Sequence, residues 1–293
     1  MSITAEVVRQ LREETGAGMM DCKSALVEAQ GDMEKARAVL RKKGLAAAAR
    51  KASRTASEGA IGAHLAADGR GGVLVEVNCE TDFVAKTPDF QSLVKEVAAN
   101  VARGAAEDVP TLLGQPLAGG ASRTVGDLVQ ETIAFIKENI VVRRFARFQV
   151  PAGEAGLVAA YIHPPAAKVG VLVELAAKSK DAATLAALGK DVAMHAAAAS
   201  PAAALYVSRD QVPADVLAKE KEIYREQALA SGRPAAVVDK IAEGKMKEYY
   251  ATYCLLEQPY IREPKTTLGQ HLGGGAVVKR FARFRLGEES GAK

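Results

Sequence analysis

Gly72-Val73-Leu74-Val75-Glu76-Val77-Asn78-Cys79-Glu80-Thr81-Asp82-Phe83-Val84-Ala85-Lys86-Thr87 is the stretch from which the fold is read. Residues 73–77 read as a buried strand. Thr87-Pro88-Asp89 then opens a helix, with a capping residue and a proline at the first helical position. Phe90, Leu93, Val94, Val97, Ala98 and Val101 follow at helical spacing, a wide stripe suited to burial against a sheet. Between strand and helix, Thr81 followed by Asp82 reads as an N-cap and first turn. A short helix is therefore expected to hold Phe83 on a rigid knuckle at the end of a sheet, where connections tend to carry function. Phe83 and Val84 have two readings: they plug the end of their own sheet, or they enter a partner.

Working outward, Ile61, Ala63 and Leu65 alternate, Asp68-Gly69 is a turn signal, and residues 73–77 return as the second strand of a hairpin. Residues 103–123 are rich in Gly, Pro and Ser and read as loop. A helix is expected at about 124–138 and a strand over 141–150, with Ala146, Phe148 and Val150 on one side. The pattern then recurs. Gly170-Val171-Leu172-Val173-Glu174 repeats residues 72–76, Leu185, Leu188 and Val192 repeat the helix stripe, and residues 277–284 repeat residues 141–148 with one Arg-to-Lys change. The fold class is α+β, with two duplicated subdomains carrying antiparallel sheets. Where the first copy has Cys79-Glu80-Thr81-Asp82-Phe83-Val84-Ala85, the second has Ala176-Ala177-Lys178-Ser179-Lys180. A mere sheet-end plug should be needed in both copies, so the comparison favours a partner contact for Phe83.

The remaining segments frame this core. Ile3, Val7, Val8 and Leu11 share a helical face; the chain turns at Thr15-Gly16-Ala17-Gly18. Asp21 is expected to cap a second helix with Cys22, Ala25, Leu26 and Ala29 inward, and Met33, Ala36 and Leu40 mark a third. This small bundle is similar to ubiquitin-associated domains. Met19 and Met20 sit in its loop, as core filling or as partner contacts. The Ala-rich basic residues 44–54 read as a tether. Residues 213–253 read as an inserted antiparallel helical hairpin joined at Ser231-Gly232-Arg233-Pro234. The expected domains are 1–54 (bundle and tether), 55–150 (first subdomain), 151–212 with 254–293 (second subdomain) and 213–253 (hairpin).

Composition bounds the chemistry. The net charge of +4 arises in the first 54 residues, with 11 basic and 7 acidic side chains, while the rest is balanced. That is a weak electrostatic footprint for nucleic acid. Cys22, Cys79 and Cys254 are distant and form no CxxC pair, so a reduced, cytoplasmic protein without a zinc site is expected. No signal segment or membrane span is read. There is no P-loop, no GxGxxG after a strand, no HExxH and no GxSxG, and nothing joins a nucleophile to its base. Neither cofactor nor covalent catalysis is expected. His195, on an apolar helix face, reads as a core histidine, and His163 before Pro164-Pro165 as a loop residue. Gly273-Gly274-Gly275 precedes a strand and reads as a turn. Arg143-Arg144-Phe145-Ala146-Arg147-Phe148 mixes basic and aromatic residues as single-strand binders do, against the simpler reading of Phe to the core and Arg to water.

Thr15-Gly16-Ala17-Gly18-Met19-Met20-Asp21-Cys22-Lys23 and residues 76–86 resemble the two signature motifs of the bacterial elongation factor Ts family. The similarity extends to Met194-His195, Glu243-Gly244-Lys245-Met246-Lys247 and Gln258-Pro259-Tyr260 and spans nearly the whole chain. It implies a guanine nucleotide exchange factor that binds elongation factor Tu, in its GDP-bound and nucleotide-free states, and disturbs its Mg²⁺ site. Carried over by motif, the loop contacts are Thr81, Asp82, Phe83 and Val84, and the bundle contacts are Leu11, Met19 and Met20. The second subdomain and hairpin imply further contacts, and self-association in some members. An RNA-binding, translation-associated protein is the alternative. Family members commonly carry a helix after the last strand; here Gly287-Glu288-Glu289-Ser290-Gly291-Ala292-Lys293 follows it, so that helix's contacts are not expected.

Overall fold

The computed structural model describes residues 3–15, 17–118, 123–177 and 181–288. Gly16, Lys178, Ser179 and Lys180, and the residues after Glu288, on which some of the expectations above fall, lie outside the described residues.

Helices α1 (Ala5–Thr15), α2 (Met19–Glu28) and α3 (Met33–Lys51) form the N-terminal bundle around Val8, Leu11, Cys22, Ala25, Leu26, Ala29 and Ala36. Two expectations are corrected here. Asp21 does not cap α2, because the helix starts two residues earlier, after an extended Gly18 that has no side chain to cap with. The Ala-rich stretch expected as a tether is helical to Lys51. Alanine is the strongest helix former, and Arg50 and Lys51 lie in the last turn, where the helix dipole favours cations.

Strands β1 (Glu58–Leu65) and β2 (Gly71–Cys79) form the first hairpin. Its turn uses Gly69 at φ 68°, and Asp68 Oδ1 accepts from the Arg70 amide at 2.9 Å. Then come α4 (Asp82–Ala85), α5 (Pro88–Arg103), α6 (Val109–Gly114), α7 (Val125–Ile136) and β3 (Val141–Gln149). Helix α6 lies in the stretch expected to be loop, with Asp108 accepting from the Thr111 amide to cap it. Helix α7 opens with a capping box between Thr124 and Asp127. Asp127 also takes Arg41 Nη2 of α3 at 2.6 Å, joining the bundle to the core.

The second unit repeats the first: β4 (Gly156–Ile162), β5 (Val169–Ala177) and α8 (Ala182–Ala198). Helices α9 (Ala214–Ala230) and α10 (Ala235–Tyr253) form the expected hairpin, tied by Arg225 to Asp239. Strands β6 (Pro259–Tyr260) and β7 (Glu263–Thr267), helix α11 (Leu268–Leu272) and β8 (Ala276–Arg285) complete it. The two three-stranded sheets are antiparallel, ordered β1-β2-β3 and β4-β5-β8, and β6 pairs with β7. No helix among the described residues is long and apolar enough to cross a membrane.

The two sheets pack face to face. Ile61, Leu74, Phe148 and Val150 of the first unit meet Val158, Leu172 and Phe284 of the second. Helix α5 covers the outer face of the first sheet and α8 that of the second. Strand β2 is therefore buried on both faces along its whole length, with Val73, Val75 and Val77 in the core under α5 and Leu74 against the second sheet. The duplicated glycines allow the close approach: a Cβ on Gly72 would stand 2.6 Å from Val158, and one on Gly170 2.5 Å from Ile61.

Each copy buries one acid on the sheet face. Glu76 is fully buried opposite Arg144, whose Nε lies 2.7 Å from its carboxylate. Glu174 is buried opposite Arg280 at the same distance. Each arginine also stacks on an aromatic ring of the other copy: Arg144 over Phe284 at 4.3 Å and Arg280 over Phe148 at 4.4 Å. A register shift follows each acid, skipping Arg143 and Lys279. Arg144 therefore does not simply face water, and neither does Arg147, whose guanidinium binds the Val101 and Gly104 carbonyls at the end of α5.

Removing one partner of such a pair leaves a charge stranded in the interior. Arg144→Met is expected to destabilise the fold by about 3 kcal/mol, measured by urea denaturation. Gly170→Ala is expected to cost roughly 1–3 kcal/mol by overpacking against Ile61. Wild-type stability in Arg144→Met would contradict a dependence of the fold on the Glu76–Arg144 pair.

Candidate functional site

At the end of β2 the chain leaves the sandwich through Cys79 and Glu80 and forms the expected knuckle. Thr81 is the N-cap of α4, its Oγ1 accepting from the Val84 amide at 3.3 Å. Val84 packs partly against the first core, and Ala85 is buried. Behind them, Thr87 Oγ1 donates to the Val84 carbonyl at 2.8 Å and Gln91 Nε2 to the Ala85 carbonyl at 2.7 Å. One turn of helix is too short to be stable alone; these tertiary bonds hold it. Phe83 points outward with 79% of its surface exposed, the most exposed large apolar side chain among the described residues. The reading of Phe83 as a plug for its own sheet is therefore set aside.

Asp82 and Lys86 flank that ring. Lys86 Nζ lies 2.7 Å from Asp82 Oδ2 and 5.9 Å from the centre of the Phe83 ring. The lysine's hydrogen bond holds the Asp82 carboxyl below its usual range. The exposed surface of the knuckle is thus an aromatic ring beside an ionised acid and its counter-ion, while Thr81 and Val84 build the support.

The underside is held from far along the chain. Lys137, in the left-handed conformation, ends α7. The next residue, Glu138, accepts from the amides of Glu80 at 3.1 Å and Thr81 at 3.0 Å through one oxygen. Its other oxygen takes the Thr81 hydroxyl at 2.7 Å. In return, Glu80 Oε1 accepts from the Asn139 amide at 2.6 Å, and Asn139 Nδ2 donates to the Arg54 carbonyl at 2.8 Å. Cys79 lies beneath, its Sγ 3.1 Å from the Thr81 carbonyl; burial first, and then the charge of Glu138, push its thiol up to about 12. Reading along the sequence missed Glu138 and Asn139. The signal was present in the duplication: the residues aligned with them before β8 are Gly274 and Gly275.

The bundle contributes differently from expectation. Met20 is 73% and Met19 45% exposed at the start of α2, so neither is core filling. Leu11 is fully buried between the bundle helices. Its expected place on a contact face is therefore corrected: its methyl groups fill the core of a module too small to spare them. Asp21 Oδ2 lies 3.9 Å from Lys137 Nζ, which brings the start of α2 beside the residue preceding Glu138.

The other candidates are structural or at the surface. His195 is fully buried, with its Nε2 3.0 Å from Gln258 Oε1, and burial lowers its pKa. His163 is exposed, 3.0 Å from the Tyr161 hydroxyl. Among the described residues no three His, Cys, Asp or Glu side chains converge as a metal site would. The three cysteines are buried and unpaired.

Comparison with known proteins supplies the family. Residues 80–288 match the family model described as Elongation factor TS. The chain is 47% identical to Elongation factor Ts of Trichlorobacter lovleyi, over 98% of this chain and 94% of that protein. It is 48% identical to Elongation factor Ts of Syntrophotalea carbinolica, over 98% and 94%. With that of Methylococcus capsulatus the identity is 47%, over 98% and 93%. A match of this length and depth, carried by a chain that displays the Thr81–Asp82–Phe83–Val84 knuckle, places the protein in the elongation factor Ts family.

Proposed function

We propose that the chain binds the GDP form of elongation factor Tu and drives out its nucleotide by pressing Phe83 into the nucleotide domain near the Mg²⁺ and phosphate site. Family membership implies a nucleotide exchange factor in translation elongation, with elongation factor Tu as the partner. The observation that supports the finer reading is Phe83 itself: an aromatic ring 79% exposed on a support that is hydrogen-bonded on every side.

Bound GDP is held by Mg²⁺ and by donors around its phosphates. Burying a Phe side chain in a crevice of the partner contributes about 1.5–3 kcal/mol. A crevice that opens only when Mg²⁺ and phosphate ligands are displaced turns that energy into weaker nucleotide binding. The linkage is reciprocal: nucleotide must weaken this protein's binding by the same factor. Asp82, already ionised and paired with Lys86, offers a carboxylate to polar groups released from the nucleotide site. Met19 and Met20 give a second, adaptable apolar contact whose role is affinity. Such a factor acts in both directions and needs no acid, base or metal of its own.

Phe83→Ala is expected to slow GDP release at saturating factor by about 10- to 100-fold, with folding intact, in stopped-flow release of a fluorescent GDP analogue. An unchanged rate would remove Phe83 from the mechanism. Met19→Ala combined with Met20→Ala is expected to raise the half-saturating concentration while leaving the saturating rate near wild type and the circular dichroism spectrum unchanged. A fall in the saturating rate alone would contradict the affinity role.

A further inference from the structure

We propose that Glu138, with Glu80 as its reciprocal partner, is the positioning device that keeps Phe83 presented; this rests on the exchange-factor reading above and identifies what makes the wedge rigid. Four hydrogen bonds carry it. Glu138 takes the amides of Glu80 and Thr81 and the Thr81 hydroxyl, and Glu80 takes the amide of Asn139. Glu138 thus binds the backbone at Glu80 and Thr81, and Glu80 binds that of the residue after Glu138, 57 to 59 residues away along the chain. Carboxylate acceptors make the stronger class of hydrogen bond. Glu80 also faces Arg54 Nη1 at 3.5 Å, and the Arg54 carbonyl receives Asn139 Nδ2.

The duplication isolates this device from the needs of the fold. The second copy keeps the strand, the helix and the final strand in matching register. It has no Thr-Asp-Phe-Val, and in place of Glu138-Asn139 it has Gly274-Gly275. A Cβ built on Gly274 meets nothing within 4 Å among the described residues. Wedge and lock are thus present together in one copy and missing together from the other, although the same sheet is built in both. A knuckle free to turn would place its aromatic ring by chance and lose binding energy in ordering it. A locked one delivers that energy to distortion of the partner.

The test uses the full chain as Glu138→Ala, with Glu138→Gln as the conservative rescue and Phe83→Ala as the reference. It reads hydrogen exchange of the Glu80 and Thr81 amides, and GDP release from elongation factor Tu across a concentration series. In Glu138→Ala, exchange at those two amides is expected to rise by about tenfold or more. The saturating release rate is expected to fall by about 10- to 100-fold, with a smaller change in the half-saturating concentration. Glu138→Gln, which keeps an acceptor oxygen, is expected to restore most of both. Wild-type amide protection in Glu138→Ala overturns the proposal. So does a lowered melting temperature with an unchanged saturating rate, which would mark a merely structural residue. If the wild-type chain does not accelerate release at all, the exchange-factor reading fails, and amide exchange alone then decides for or against the lock. If Glu138→Ala does not fold, Glu80→Ala removes the other half of the exchange and is judged by hydrogen exchange of the Asn139 amide, which Glu80 binds, and by the same release rate.

Discussion

The face-to-face packing of two copies of one sheet is the constraint from which the rest of the structure follows. It buries a glutamate in each copy, and burial of a charge demands a partner. Arg144 and Arg280 supply it across the ladder, with their guanidinium groups placed over the rings of Phe284 and Phe148 of the opposite copy. Those crossed contacts fix how the sheets face one another. Glycines at 72 and 170 let the backbones approach. With the inner faces used in this way, α5 and α8 must cover the outer faces, and the connections at the strand ends are left for other purposes.

Only one of the two equivalent connections is elaborated. After β5 the chain passes to α8 without an aromatic. After β2 it makes a capped single turn whose ring stands in solvent. Exposing Phe83 forgoes the stabilisation that burial would give, of the order of 1.5–3 kcal/mol. Its support is nonetheless hydrogen-bonded from both sides, by Thr87 and Gln91 on one and Glu138 on the other. A ring with poor use in its own fold and rigid support beneath it is the arrangement expected of a group that acts on another molecule.

Much of this was legible in the sequence, for local reasons. The caps at Thr81 and Thr87 announce their helices, the β1–β2 turn carries Asp68-Gly69, and the repeated Gly-Val-Leu-Val-Glu exposes the duplication. The failures were of two physical kinds. Helix continuation through residues 44–51 was lost because an Ala-rich basic run lacks an apolar stripe, although its propensity is high and Arg41 of the same helix is anchored on Asp127. Contacts distant in sequence were lost because no local pattern encodes them. Leu11 looks like any apolar residue of an amphipathic helix until its burial is known, and the bonds from Glu138 to Thr81 cross 57 residues. The link from Glu138 to Thr81 was recoverable only by comparing the two copies position by position.

In the proposed function, one exposed ring couples this protein's binding to the loss of nucleotide from elongation factor Tu. The most direct measurement is the closed thermodynamic cycle by calorimetry: the affinity of this chain for elongation factor Tu with and without GDP, and of GDP with and without this chain. Both ratios are expected to be large and equal for the wild type, and both to shrink together toward one for Phe83→Ala. Ratios as large in Phe83→Ala as in the wild type would contradict that coupling.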